Sequence, residues 1–104
     1  MTEAIVILST VPDAEKAAEI ARALVEDHLA ACVNIVPGLR SIYRWEGKLA
    51  DDAEVLCIIK TARDRFDQVA ARIKSLHPYS VPEVIALPII KGFEPYLDWV
   101  RKST

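Results

Sequence analysis

A histidine, a tyrosine and a glutamate lie close together in the second half of the chain, separated by two prolines. They are His77, Tyr79 and Glu83, interleaved with Pro78 and Pro82. Proline fixes its own φ at about −65° and moves the preceding residue out of the helical region, so this segment is stiff. A stiff loop of this kind can present a binding site, and it can equally serve as an ordinary turn between a helix and a strand.

His77 is a candidate metal ligand, because copper and zinc bind imidazole together with further imidazole or thiolate groups. His28 ends the first predicted helix, and nothing in the sequence places Cys32 or Cys57 beside His77. The alternative is a histidine that ends a helix and bonds to carbonyls or to a carboxylate such as Glu83. For a single chain, the pattern favours this structural role.

Charged side chains interrupt three otherwise apolar strand patterns, at Glu54, Lys60 and Glu83. Buried charges are costly unless they are paired, so these residues either line a polar pocket or face solvent on an open sheet. Tyr43 and Trp45 lie near a predicted hairpin tip, where aromatic rings could stack on a base or a sugar. The net charge of −2 provides no basic field, which favours a protein interface instead.

The composition is that of one globular domain over residues 1–104, with 52% hydrophobic and 27% charged residues. The net charge of −2 argues against nucleic acid or an anionic membrane as the main partner. No segment approaches the ~20 apolar residues that a membrane span needs. Glu3 stands where a secretory signal would carry positive charge, so we expect a cytoplasmic protein.

The sequence offers little that could support catalysis. The three glycines are far apart and form neither a phosphate-binding loop nor a dinucleotide fingerprint. Ser9 lacks the flanking glycines of a nucleophile elbow, and a hydrolase built on His77 and Glu83 would have no nucleophile. We therefore expect a protein that is not an enzyme.

Hydrophobic periodicity predicts the order β-α-β-β-α-β followed by a short terminal helix. Strands are expected over residues 3–11, 31–45, 52–60 and 81–90, with Pro88 indicating an edge strand or a bulge. The helices are an amphipathic one over residues 13–28 with Asp13 as N-cap, a second opened by a capping box at residues 61–64 and ended by Pro78, and a third from Pro95. This order is the ferredoxin-like split βαβ plan of the α+β class.

The predicted hairpin turns near Gly47 and is too long for a compact domain. Fifteen strand residues extend about 50 Å, whereas a globule of this length is about 34 Å across. The ribbon must therefore bend at Pro37 and Gly38 or project from the domain. Its outer half carries apolar side chains, including Tyr43 and Trp45, that a monomer would expose, from which we infer oligomerisation.

The same hairpin geometry argues against a disulfide. A turn near Gly47 places Cys32 opposite residue 62 or 63, which leaves Cys57 about 18 Å away along the strand. Disulfides need Cα atoms within about 7 Å. We therefore expect both cysteines to be buried, reduced thiols.

Five segments together resemble the CutA divalent-cation tolerance proteins, and the resemblance extends over nearly the whole chain. They are residues 31–35, 41–48, 54–61, 77–83 and 96–99. The resemblance implies a ferredoxin-like protomer in a tight homotrimer similar to the PII signalling proteins, with long hairpins packed between subunits. It also implies an association with tolerance of copper and other divalent metals, and no firmly established enzymatic activity.

The resemblance also bears on the candidate site residues. Family members proposed to bind copper have a cysteine where this chain has Ser9 and a histidine pair where it has Leu76 and His77, so only His77 is retained. Loss of the soft ligands predicts that copper, or another divalent metal, binds weakly.

A PII-like trimer forms clefts between subunits, near which we expect six residues: Tyr43, Trp45, Glu54, Lys60, Tyr79 and Glu83. The alternative function is a sensor of a small anionic metabolite in these clefts. Lys60 and arginines would then hold a carboxylate or phosphate, and His77 would donate a hydrogen bond.

Overall fold

The computed structural model describes residues 2–104. Within that range it contains four strands and three α-helices in the predicted order: β1 (Ala4–Val11), α1 (Ala14–Glu26), β2 (Cys32–Trp45), β3 (Lys48–Ala62), α2 (Phe66–Leu76), β4 (Ile85–Pro88) and α3 (Glu94–Lys102). The strands form one sheet in the order β2-β3-β1-β4, and every neighbouring pair is antiparallel. This confirms the ferredoxin-like α+β plan. None of the helices in residues 2–104 is long and apolar enough to cross a membrane.

The main core lies between one face of the sheet and the helices α1 and α2. Side chains along a strand alternate between faces, so the odd-numbered residues of β1 and β3 point into this core. Ile7 and Ile59 lie opposite each other and are fully buried there. Ile20 and Leu24 of α1 and Ile73 of α2 pack against them.

The opposite side of the sheet, here called the outer sheet face, carries the even-numbered side chains of β1 and β3 and their neighbours. One end is covered by α3, which packs through Leu97 and Val100 in a second, smaller cluster. The remainder is rich in apolar side chains that are half-buried or exposed: Val6, Leu8, Leu56, Ile58, Ile85 and Leu87. This face has the composition of a surface that another protein covers.

The hairpin of β2 and β3 projects from the domain, which is one of the two outcomes that its predicted length allowed. The Cα positions extend over 44 × 26 × 23 Å. The strands join through a two-residue turn at Glu46 and Gly47, whose φ values of 50° and 78° are those of a type I′ turn. β3 is longer than the predicted 52–60, because pairing with β2 keeps its polar outer half extended.

A β-bulge interrupts the hairpin at the predicted bend. Pro37 and Gly38 of β2 together face the single residue Val55 of β3, and Gly38 has a φ of +83° that favours glycine. The extra residue reverses the alternation of side chains along the rest of β2. As a result Tyr43 and Trp45 point to the same side as the outer sheet face.

The predicted position of Cys32 opposite residue 62 or 63 is wrong, since it pairs with Lys60. The turn is centred before Gly47 and the bulge consumes a further residue of β2. Cys57 still lies three positions farther along β3, and both cysteines are free. Cys57 is buried as expected, whereas Cys32 is only partly so.

Two other boundaries differ from the predicted ones. The predicted capping box at residues 61–64 is wrong, because the Thr61 hydroxyl donates to the Leu29 carbonyl oxygen at 2.6 Å. The helix α2 begins only after a 3₁₀ turn at Arg63–Arg65. The fourth strand is shorter than residues 81–90, since Val81 and Glu83 leave the sheet to line a pocket. β4 is an edge strand, as Pro88 indicated.

Candidate functional site

A pocket with a volume of about 690 Å³ opens where the hairpin leaves the sheet. Its walls come from the end of β1, the hairpin beyond the bulge and the loop that follows α2. The lining residues are Thr10, Ser41, Ile42, Tyr43, Trp45, Glu54, Tyr79, Ser80, Val81 and Glu83. Five of the six residues expected at a cleft therefore surround one cavity of a single chain.

Two phenols in this region donate to two carboxylates on β3. The Tyr79 hydroxyl donates to Glu54 Oε2 at 3.0 Å, and the Tyr43 hydroxyl donates to Asp52 Oδ2 at 2.6 Å. Glu54 and Asp52 lie two positions apart, so their side chains share the outer side of the ribbon. Glu54 is only 7% exposed, although it carries a carboxylate.

These contacts keep both phenols protonated. Burial, and then the hydrogen bond to Glu54, raise the pKa of Tyr79 from 10.0 to about 12. The hydrogen bond to Asp52 is the main cause that raises the pKa of Tyr43. Each tyrosine therefore acts as a neutral hydrogen-bond donor at physiological pH.

His77 contacts two residues that line the pocket, Thr10 and Tyr79, and is 7% exposed. Its Nε2 lies 2.7 Å from the Thr10 carbonyl oxygen, and its Nδ1 accepts the Tyr79 backbone N–H at 3.1 Å. A carbonyl can only accept, so Nε2 carries the proton and both ring nitrogens are occupied. The ring also packs on Tyr79 with centroids 4.6 Å apart. His77 thus anchors the loop to β1.

Lys60 lies away from the pocket. It pairs with Cys32 and Val6 in the sheet, and its ammonium donates to the Asn34 side-chain oxygen. It lies six positions from Glu54 along β3, a distance of about 20 Å along an extended strand. Within one chain, Lys60 cannot contribute to the cavity that the other five expected residues share.

The residues of one chain do not fit a copper centre. Across residues 2–104 there is no group of three or more His, Cys, Asp or Glu side chains placed to hold a metal ion. His77 would have to break a hydrogen bond to offer a lone pair. Burial raises the pKa of the Cys57 thiol, which opposes the thiolate form that binds metals. Ser9, opposite Cys57 in the sheet, provides only a hydroxyl.

Three contributors to this region were not among the residues expected at the site: the Thr10 carbonyl, Ser41 and Asp52. The Thr10 contact joins residues 67 positions apart, so no local pattern could reveal it. Asp52 had a usable signal, because it precedes Glu54 by two residues and must share its strand face. Ser41 could not be placed from the sequence, because the bulge decides the side of the ribbon on which it lies.

The antiparallel sheet order, the two helices on one face and the projecting hairpin define a ferredoxin-like α+β protein. Residues 5–103 match the family profile described as CutA1 divalent ion tolerance protein. The chain belongs to the CutA1 divalent ion tolerance family.

Individual relatives agree with this assignment. The divalent-cation tolerance protein CutA of Thermus thermophilus is 57% identical over 99 residues, which are 95% of this chain and 96% of that protein. The human protein CutA is 52% identical over 95 residues, which are 91% of this chain but 53% of that protein. The chain thus spans about half the length of this relative, and similarly of plant relatives described as chloroplastic.

Solved structures share the fold over almost the whole chain. The divalent cation tolerance protein (Cut A1) from Thermus thermophilus has a TM-score of 0.95 at 55% identity, covering 97% of this chain and 98% of that one. CutA from Archaeoglobus fulgidus, described as periplasmic, has a TM-score of 0.94 at 39% identity, covering 96% and 97%. The ferredoxin-like fold is therefore common to bacterial and archaeal relatives.

Proposed function

We propose that this chain is a non-enzymatic, homotrimeric binding protein of the cytoplasm that takes part in tolerance of divalent metals, copper among them. Residues 1–104 would form one CutA-like domain with PII-like assembly. Family membership supports the association with divalent ions. The single observation that carries the binding role is the pocket of about 690 Å³ beside an uncovered apolar sheet face.

The apolar outer sheet face supports the homotrimer. Ile85 and Leu87 are each 49% exposed there, and on the same side the hairpin adds Tyr43 at 38% and Trp45 at 49%. Monomeric proteins rarely leave this much contiguous apolar surface in water. A closed ring of three copies would bury the face and bring the pocket next to a neighbouring subunit.

Light scattering after size exclusion tests the assembly. The expected mass is three times the 11.6 kDa of one chain. Ile58→Glu places a charge on the outer sheet face and is expected to yield monomers. Val25→Glu is the matched control, because Val25 is an exposed apolar residue on α1, on the other side of the sheet. A monodisperse wild-type monomer would refute the trimer.

Copper is expected to bind weakly, because His77 already uses both ring nitrogens. Calorimetry with copper should show no sub-micromolar site. His28→Ala is the control for His77→Ala, since His28 lies exposed at the end of α1. Sub-micromolar binding that disappears in His77→Ala and persists in His28→Ala would overturn the prediction of weak binding.

The alternative function, a sensor of a small anionic metabolite, gains no support from the pocket. Glu54 and Glu83 line it, and Lys60 lies elsewhere in the same chain. Two carboxylates repel an anion that enters their cavity. We therefore retain the metal-associated binding protein as the proposed function.

A further inference from the structure

The pocket combines aromatic rings with negative charge. Tyr43, Trp45 and Tyr79 line it together with the carboxylates of Glu54 and Glu83, and none of its lining residues in the part of the chain described is a lysine, arginine or histidine. Aromatic faces attract cations within about 6 Å of the ring centroid. Both features therefore select for a positively charged ligand.

The burial of Glu54 strengthens this selection. Its carboxylate is 7% exposed, and its hydrogen-bond partner is the neutral phenol of Tyr79. Among residues 2–104, none of the salt bridges involves Glu54. A buried carboxylate is costly without a compensating cation, so a ligand that supplies one gains affinity from the site.

The same walls are unsuited to a bare metal ion. A calcium or magnesium site needs several oxygen ligands that converge on one point, and the described residues contain no such group of three acidic or metal-binding side chains. Val81 adds apolar surface beside the rings. A volume of about 690 Å³ is that of a small-molecule site.

We propose that this pocket binds an organic ammonium ion, a small molecule whose positive nitrogen carries apolar substituents. The inference rests on the proposed function, because it takes the pocket as the binding site and names the chemistry of its ligand. The apolar substituents would contact Val81 and the rings, while the charge would face the aromatic faces and Glu54.

Three probes of the same shape and different charge test this inference. They are choline, its neutral isostere 3,3-dimethylbutan-1-ol, and the anion 3,3-dimethylbutyrate. Binding is followed by fluorescence titration in a Trp99→Phe background. Because the sequence contains two tryptophans, this substitution leaves Trp45 as the sole one. Trp99 packs on Tyr96 and does not line the pocket. We expect choline to bind at least about tenfold more tightly than the neutral probe.

The carboxylate variant separates charge from shape. Glu54→Gln keeps an oxygen that can accept from Tyr79 and removes the negative charge, so choline affinity should fall roughly fivefold to tenfold while the neutral probe changes less than about twofold. Glu3→Gln is the matched control, since Glu3 is exposed and outside the pocket. Glu83→Gln provides a second lining variant should Glu54→Gln fail to fold.

Equal binding of the charged and neutral probes, or a preference for the anion, would overturn the inference. So would failure of choline to bind a protein that light scattering shows to be trimeric, and the proposed function would then stand without it. A monomer that still prefers choline would remove the trimer from the proposed function and leave this inference intact.

Discussion

At the scale of single residues, the hydrogen-bond partner determines what each polar side chain can do. In the sequence His77 is a candidate metal ligand. In the structure its two ring nitrogens bond instead to the Thr10 carbonyl of β1 and to the Tyr79 backbone N–H. Tyr79 in turn donates to Glu54. The residue types were sufficient to identify these candidates. They could not decide whether His77 is a metal ligand or a structural contact that holds the loop.

The hydrogen bond from Tyr79 to Glu54 predicts a specific dependence of stability on pH. The folded-state pKa of Tyr79 is raised from 10.0 to about 12, so the folded protein keeps a proton that the unfolded chain loses. This contribution is complete below pH 10 and declines as the pH rises towards 12. Near neutral pH, Tyr79→Phe should cost about 1–2 kcal/mol in the free energy of unfolding.

Urea unfolding of wild type and Tyr79→Phe at about pH 9 and about pH 11.5 measures this effect. The stability advantage of the wild type should shrink at the higher pH. Comparison within the pair cancels the titration of lysines, which both proteins share. An advantage that stays constant over this interval would contradict the assignment.

His28 offers a second prediction at the residue scale. α1 ends in a Schellman motif: Leu29 N–H donates to the Leu24 carbonyl, His28 N–H donates to the Val25 carbonyl, and His28 has a φ of +58°. Glycine adopts this conformation without strain, so His28→Gly should stabilise the protein by about 0.5–1 kcal/mol. His28→Ala keeps the Cβ and should show no such gain in urea unfolding; equal effects of both substitutions would argue against backbone strain.

At the scale of elements, the bulge determines which side chains of β2 reach the pocket. Deletion of Pro37 would restore a regular ladder and turn Tyr43 and Trp45 to the opposite side of the ribbon. We expect Trp45 fluorescence to lose its response to choline while the circular dichroism of the helices persists. Deletion of Thr104, which follows α3 and does not line the pocket, should leave the response intact. An unchanged response in the Pro37 deletion would show that the bulge does not orient the pocket.

The elements also show how far the sequence could predict this structure. Periodicity was sufficient for their order, because α1 and β1 carry their own apolar patterns. It failed at the register of Cys32, at the start of α2 and at the length of β4, each of which depends on contacts between distant segments. The candidate site was predicted in part as well. Five of the six residues expected at a cleft line one cavity, whereas Lys60 lies too far along β3 from Glu54 to reach it.

At the scale of the whole molecule, the proposed trimer links stability to protein concentration. Association with two further copies stabilises the folded chain by mass action, because only folded chains have an outer sheet face to bury. The thermal midpoint should therefore rise with protein concentration in the wild type and be independent of it in Ile58→Glu. Calorimetry over a hundredfold range of concentration measures both; a wild-type midpoint that does not move would contradict the trimer.

The position of β2 at the margin of the sheet has a consequence for aggregation. Its 14 residues would offer any other chain a long row of unpaired backbone donors and acceptors. Pro37 has no N–H to offer, and the irregularity that it forms with Gly38 breaks the row into two shorter pieces. A foreign strand can then pair with one piece only, which protects this protein from the edge-to-edge growth that leads to fibrils.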